Sequence, residues 1–145
     1  GLAIGYRIGS GPAPAASGLL AAPGAQAALQ AALDRLPAGQ ARDWADRDSA
    51  GVVKVTGTFR MAGAGLCREY EIAARRPAAE QVFGLACRSA GQWRQRAIIS
   101  ELASEGAIRP ASDPRELIDA VLQSFGSEAP ITGDAELTAL RETLP

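Results

Sequence analysis

The sequence contains no histidine. Imidazole is therefore missing as a general base, as the partner of a nucleophile and as a metal ligand, which removes most hydrolytic triads and zinc sites that one chain can build. Lysine is almost missing too: of 15 Lys plus Arg, Lys54 is the only lysine, leaving 14 arginines among abundant Ala, Gly and Pro. That bias reads as GC-rich bacterial coding rather than as a site. A net charge of −1 gives no general attraction to nucleic acid or to anionic lipid. Cysteine is scarce as well, with Cys67 and Cys87 alone, each followed by an arginine.

At 145 residues the chain has the size of one ordinary domain. Such a chain buries roughly 68–70% of the surface its unfolded form exposes. Residues 1–23 read as a linker or trimmed anchor remnant. GLAIGYRIGS carries an apolar fragment too short to span a bilayer, and GPAPAASGLLAAPG follows as a Gly/Pro/Ala tether. The start at a glycine suggests a processed or truncated chain, with a possible membrane anchor upstream.

Order is expected from about Gly24. Ala25, Ala28, Leu29, Ala32, Leu33 and Leu36 recur at helical spacing, and Pro37 and Gly39 stop the helix. After the polar stretch ARDWADRDSAG the period falls to two. Val53, Val55, Gly57 and Phe59 alternate with Lys54, Thr56, Thr58 and Arg60 over a strand at 51–60. Further strands are predicted at 66–74, 79–88 and 92–98, with MAGAG (61–65) and Ser89-Ala90-Gly91 as turns. The expected fold is α+β: a four-stranded antiparallel β-meander over 24–99, covered by an N-terminal helix, with two C-terminal helices in the extension 100–145. Asp113, Pro114 and Glu116 mark one helix start, and Leu117, Ile118, Val121, Leu122 and Phe125 form its stripe. A second helix near 134–143 presents Leu137 and Leu140. Both are expected to pack on or beside the sheet.

A hairpin centred on Pro77 pairs residues whose numbers sum to 154, so Cys67 faces Cys87 at a separation a disulfide can bridge. The same register sets Tyr70 over Gly84 and Ile72 beside Val82. A slip of one residue would part the cysteines to opposite faces. Two thiolates without histidine make an incomplete zinc site, and the spacing is not that of a redox C-x-x-C. Two reduced, buried cysteines in a cytosolic protein are the alternative. A disulfide implies an oxidising compartment such as the periplasm or cell surface.

ALDRLPAGQARDW (32–44), SAGVVKVTGTF (49–59), GLCREYE (65–71) and FGLACRSAGQW (83–93) together resemble the C-terminal domain of the 17 kDa surface antigen family of bacterial envelope lipoproteins. The likeness covers about residues 28–98 and rests on the order and spacing of Trp44, Cys67, Arg68, Glu69, Gly84, Cys87, Arg88 and Trp93. It implies this fold and an outer-membrane or periplasmic location. It supplies no catalytic mechanism. Members of that family carry a lipidated cysteine and a glycine zipper before the domain, and neither is in this sequence.

Other candidate sites have plainer explanations. Asp46, Asp48 and Gly51 faintly resemble a calcium loop, but Ala50 and Gly57 occupy ligand positions, so a solvated turn is the reading. Gly5, Gly9 and Gly11 lack the rest of any phosphate-binding motif. Glu69 and Glu71 share a strand face, with Arg94 and Arg96 expected to neutralise them. Arg88 is expected to stack on Trp93 across a two-residue turn. A basic surface from Arg60, Arg68, Arg88, Arg94 and Arg96 for anionic glycans or lipid headgroups is the functional alternative to these pairings.

No catalytic, cofactor or metal residue is expected. The functional expectation is a non-enzymatic envelope domain, structural or interaction-mediating, whose partner is an envelope protein or glycan and not nucleic acid. The alternative is the periplasmic sensor part of a membrane-anchored regulator such as an anti-sigma factor. An enzyme would need a pocket holding Glu69, Glu71 or the Asp43–Asp48 cluster with raised carboxyl pKa values.

Overall fold

The structure, a computed structural model, describes residues 18–61, 63, 65–76, 80–102 and 113–142. The start of the chain through residue 17, the turn at Pro77 and part of MAGAG lie outside the described residues.

Helix α1 (Gly18–Ala21) leads into α2 (Pro23–Arg35), followed by β1 (Ala41–Ala45), β2 (Ala50–Met61), β3 (Gly65–Arg76), β4 (Glu80–Ser89) and β5 (Gln92–Leu102). Helices α3 (Pro114–Ser124) and α4 (Gly133–Arg141) close the chain. The strands form one sheet in chain order, every neighbour antiparallel. The α+β class is as expected, but the sheet has five strands rather than four.

The additional strand, β1, hid in the polar stretch. On a sheet edge only Trp44 of ARDWA is buried, so its other positions carry no apolar period to detect. Asp46 then shapes the turn into β2, its Oδ1 accepting from the backbone amides of Asp48 and Ser49 at 3.0 and 2.8 Å. Those bonds hold the carboxyl below its ordinary pKa. The calcium-like aspartate is thus engaged in its own turn.

Order also begins before Gly24. Leu19, placed in the tether by sequence, is buried in the core. Helix α2 starts with proline at its first turn, where a missing amide costs nothing, and buries Ala25, Ala28, Leu29, Ala32 and Leu33 as its spacing predicts. It lies against Val53, Val55, Tyr70, Ile72, Val82 and Ala86.

The opposite face is covered by α3. Ile118 and Leu122 sit with Met61, Cys67, Phe83, Leu85 and Cys87. Asp113 caps the helix by accepting from the Arg115 amide at 2.8 Å, and Pro114 takes the first helical position. The C-terminal helices are therefore integral: α3 supplies the second helical layer, and α4 joins α2 on the first face beside Leu66. The predicted stripe of α3 is only partly inward, since Leu117 and Phe125 are exposed.

One irregularity in β2 redirects the sheet. Val55 pairs with Tyr70 and Gly57 with Glu69, leaving Thr56 as an extra residue. The bulge reverses the alternation. Phe59 consequently packs with the α3-side cluster instead of joining Val53 and Val55, while Thr58 turns to the α2 side opposite Arg68.

Candidate functional site

Cys67 and Cys87 are paired across β3 and β4 and joined by a disulfide, S–S 2.00 Å, Cα–Cα 3.9 Å. Tyr70 lies opposite Gly84 and Ile72 opposite Val82, in the register expected. Glycine is required at 84: a Cβ there would lie 2.2 Å from Tyr70 Cζ. The Tyr70 hydroxyl donates to Gln95 Oε1 at 2.6 Å, and burial raises the phenol above its ordinary pKa.

Each cysteine faces the α3 side, so the arginine after it faces the α2 side. Arg68 is fully buried there with every N–H engaged. Nε donates to Thr58 Oγ1 at 2.9 Å, Nη1 to the Ala32 and Leu33 carbonyls at 2.9 Å each, and Nη2 to the Leu36 carbonyl and to Glu136 Oε2 at 3.0 Å. A guanidinium thus caps the C-terminal end of α2, where orphan carbonyls and the helix dipole favour a cation. Burial lowers the Arg68 pKa, and the Glu136 hydrogen bond and charge oppose that shift. Glu136 also accepts from Thr58 Oγ1 at 2.6 Å and from the Ala38 amide. Arg88 repeats the design on α4, donating to the Leu140 and Ala139 carbonyls at 3.0 Å each. Its guanidinium sits 5.5 Å from the Trp93 ring centroid across the turn, as expected. Trp93 in turn donates to Asp34 at 2.8 Å, and Trp44 to Ser49 Oγ at 3.0 Å.

This disposition breaks up the basic surface considered above. Arg68 is internal, Arg88 is half-buried against α4, and Arg60 pairs with Glu142 at 3.3 Å.

Glu69 sits on the other side of β3 and faces a groove. The groove, about 260 Å³, runs between the sheet and α3, and is lined by Lys54, Thr56, Glu69, Glu71, Phe83, Arg115, Ile118 and Asp119 among others. Arg94 and Arg96 do not neutralise its carboxylates, because β4 lies between β3 and β5. Arg115 of α3 takes that role at Glu71, with Nε and Nη2 at 2.6 and 3.0 Å, and lies 5.3 Å from the Phe83 ring centroid. Among the described residues Glu69 makes no ion pair. It accepts weakly from Thr56 Oγ1 at 3.4 Å and lies within hydrogen-bonding reach of the Asp119 carboxyl. Burial first, then hydrogen bonding to Asp119 and the Asp119 charge, push the Glu69 carboxyl up to about 7.

Sequence reasoning named Glu69 but missed Asp119, Arg115, Thr58 and Glu136. For Glu136 a signal existed: it shares the i, i+3, i+4 stripe of Ala139 and Leu140, and a carboxylate on a buried stripe requires a cation. Asp119 and Arg115 lie on the solvent side of the α3 pattern, and nothing local links them to β3.

Among the described residues no group of acids and cysteines is placed to hold a metal ion, and no helix is long and apolar enough to cross a membrane. No family model, curated protein or solved structure matches the chain. What fold and site define together is an α+β domain with a disulfide-bonded five-stranded meander between two helical layers and a carboxyl-lined groove under one of them.

Proposed function

We propose that this chain is a non-enzymatic domain of the bacterial cell envelope, of the surface-antigen type, which works by holding another envelope component in the groove beside α3. The observation that carries the reading is that both Cys-Arg dipeptides are spent on the fold: the cysteines bond each other and the arginines cap α2 and α4. The cysteines and arginines behind the surface-antigen resemblance thus build the scaffold, while Glu69 of the same motif faces the groove, which is left as the place for recognition. Support for a location outside the cytosol comes from the disulfide, which persists in oxidising compartments. Glu69, Asp119 and Thr56 offer hydrogen-bonding groups beside the apolar Phe83 and Ile118, a mixture suited to a glycan or a protein segment.

A second reading, general acid–base catalysis, draws on Glu69 alone, whose carboxyl titrates near neutrality. Its hydrogen bond to Asp119 places the two carboxyls too close to straddle a glycosidic bond, for which separations of roughly 5–9.5 Å are needed. Glu71 is already held by Arg115.

Co-sedimentation tests the proposal, with purified sacculi in one arm and outer-membrane vesicles in the other. Wild-type protein is expected to pellet with one of them and Asp119→Lys to stay in the supernatant. Equal recovery of wild type and variant in both arms would overturn a groove-based function. Turnover of sacculus glycan or peptide that vanishes in Glu69→Gln would instead establish the enzyme.

A further inference from the structure

The two edges of the sheet are unequal. β1 offers five residues and β5 eleven. A long edge strand presents backbone amides and carbonyls to any passing strand, and folded proteins usually blunt such an edge by shortening, charging or kinking it. β1 is blunted by shortness. β5 carries charges and a kink, and both follow a pattern.

Its register with β4 sets Arg94 opposite Cys87 and Glu101 opposite Gln81, so both side chains belong to the α3 side of the sheet. Ile98, opposite Gly84, belongs to the α2 side and packs at the margin of that core. Between Gln95 and Ala97 the register slips by one, leaving Arg96 as the bulged residue. Now let a second β5 run antiparallel along the first, with Ile98 on the two-fold axis. Ala97 then lies beside Ile99 of the second copy. With Arg96 bulged on both strands, Gln95 lies beside Ser100 and Arg94 beside Glu101, each pair on one face of the sheet. Because the operation is its own inverse, the Arg94–Glu101 contact occurs twice.

The geometry points to a homodimer built by β5–β5 pairing, which joins two five-stranded meanders into one continuous ten-stranded sheet. The occupant is specified by charge. The basic end of β5 meets its own acidic end only when a second copy approaches in reverse, whereas a parallel approach sets arginine beside arginine and glutamate beside glutamate. The same features that blunt the edge against foreign strands therefore fit it to itself. This goes beyond the groove: β5 is the outermost strand among the described residues, and a dimer would carry two grooves on the α3 side of one sheet.

Sedimentation equilibrium of the full chain tests the inference. The wild type is expected to sediment at twice the 14.9 kDa chain mass at about 0.1 mM. Arg94→Glu and Glu101→Arg are each expected to raise the dimer Kd about tenfold or more, since each converts two attractive contacts into repulsive ones. The decisive step is the mixture. Arg94→Glu and Glu101→Arg chains are complementary to each other, so equimolar mixing is expected to restore the dimer, as is the double variant Arg94→Glu/Glu101→Arg. Circular dichroism confirms folding of each variant, Arg94 being exposed and Glu101 only half-buried. A wild type that stays at the single-chain mass overturns the inference. So does a dimer indifferent to both single reversals, or one that mixing fails to restore.

Discussion

Arg68 and Glu69 are adjacent in the chain and face opposite sides of β3, and the two sides are finished differently. On the α2 side the charged pair is buried to the last N–H: Arg68 meets Thr58, Glu136, two carbonyls of α2 and that of its C-cap Leu36, and Glu136 meets the Ala38 amide in return. On the α3 side Glu69 is half-buried in the groove with no ion pair among the described residues, and burial and the neighbouring Asp119 favour its protonated form. A fully satisfied network has one arrangement to offer and serves the fold, whereas a group with unspent hydrogen-bonding capacity is available to a ligand. That contrast is why the motif arginines are assigned to architecture and the groove to recognition.

The contrast breaks most sharply at Arg68. Arg68→Ala leaves Glu136 buried without its cation, and a loss of about 3–5 kcal/mol is expected in urea denaturation. Replacing both partners by apolar residues, Arg68→Met with Glu136→Leu, should recover much of that loss, because no unpaired charge remains. If the single and double variants were equally destabilised, helix capping rather than ion pairing would account for the effect. On the α3 side the largest effect belongs to the disulfide. Cys67→Ala/Cys87→Ala is expected to cost about 2–3 kcal/mol, toward the low end for a loop of this size, since the hairpin already holds its ends together. Gly84→Ala sharpens the register itself. Its new methyl meets the Tyr70 ring, and a loss of roughly 1–3 kcal/mol is expected, much reduced in a Tyr70→Ala background.

The smallest effect is the dependence on pH. Glu69 carries a folded pKa of about 7 against an ordinary value of 4.5. Between those values the folded state holds more protons than the unfolded one, so this group's contribution falls as pH rises through the window. Below it the proton is on in both states, and above it the penalty for the buried charge is complete. Thermal melts of the wild type against Glu69→Gln are therefore expected to converge near pH 4.5 and to separate by pH 8, with the variant the more stable. A Tm difference between the two proteins that stays constant across the window would contradict the raised Glu69 pKa.

The elements with strong periods were legible in the sequence. The α2 stripe, β3 and β4 with their cysteines, the Tyr70–Gly84 pair and the Asp113 cap all follow from spacing and turn chemistry. What escaped was set by tertiary context. β1 is an edge strand with one buried residue, and the Thr56 bulge that reverses Phe59 and Thr58 leaves no local mark in VVKVTGTF. The site was half legible. Glu69 lies in the quoted motif, but its partner Asp119 comes from a helix 50 residues away, read from sequence only for its apolar side.

A disulfide-bonded domain outside the cytosol is the claim on which the proposed function turns, and mass spectrometry of natively expressed protein tests it most directly. Cells are lysed into denaturant containing a thiol-alkylating reagent, so that any buried free thiol is exposed and labelled, and the intact mass is read before and after reduction. The account predicts no label before reduction and two afterwards, at Cys67 and Cys87. Two labels before reduction would contradict it, leaving two buried thiols and a domain with no reason to lie in an oxidising compartment.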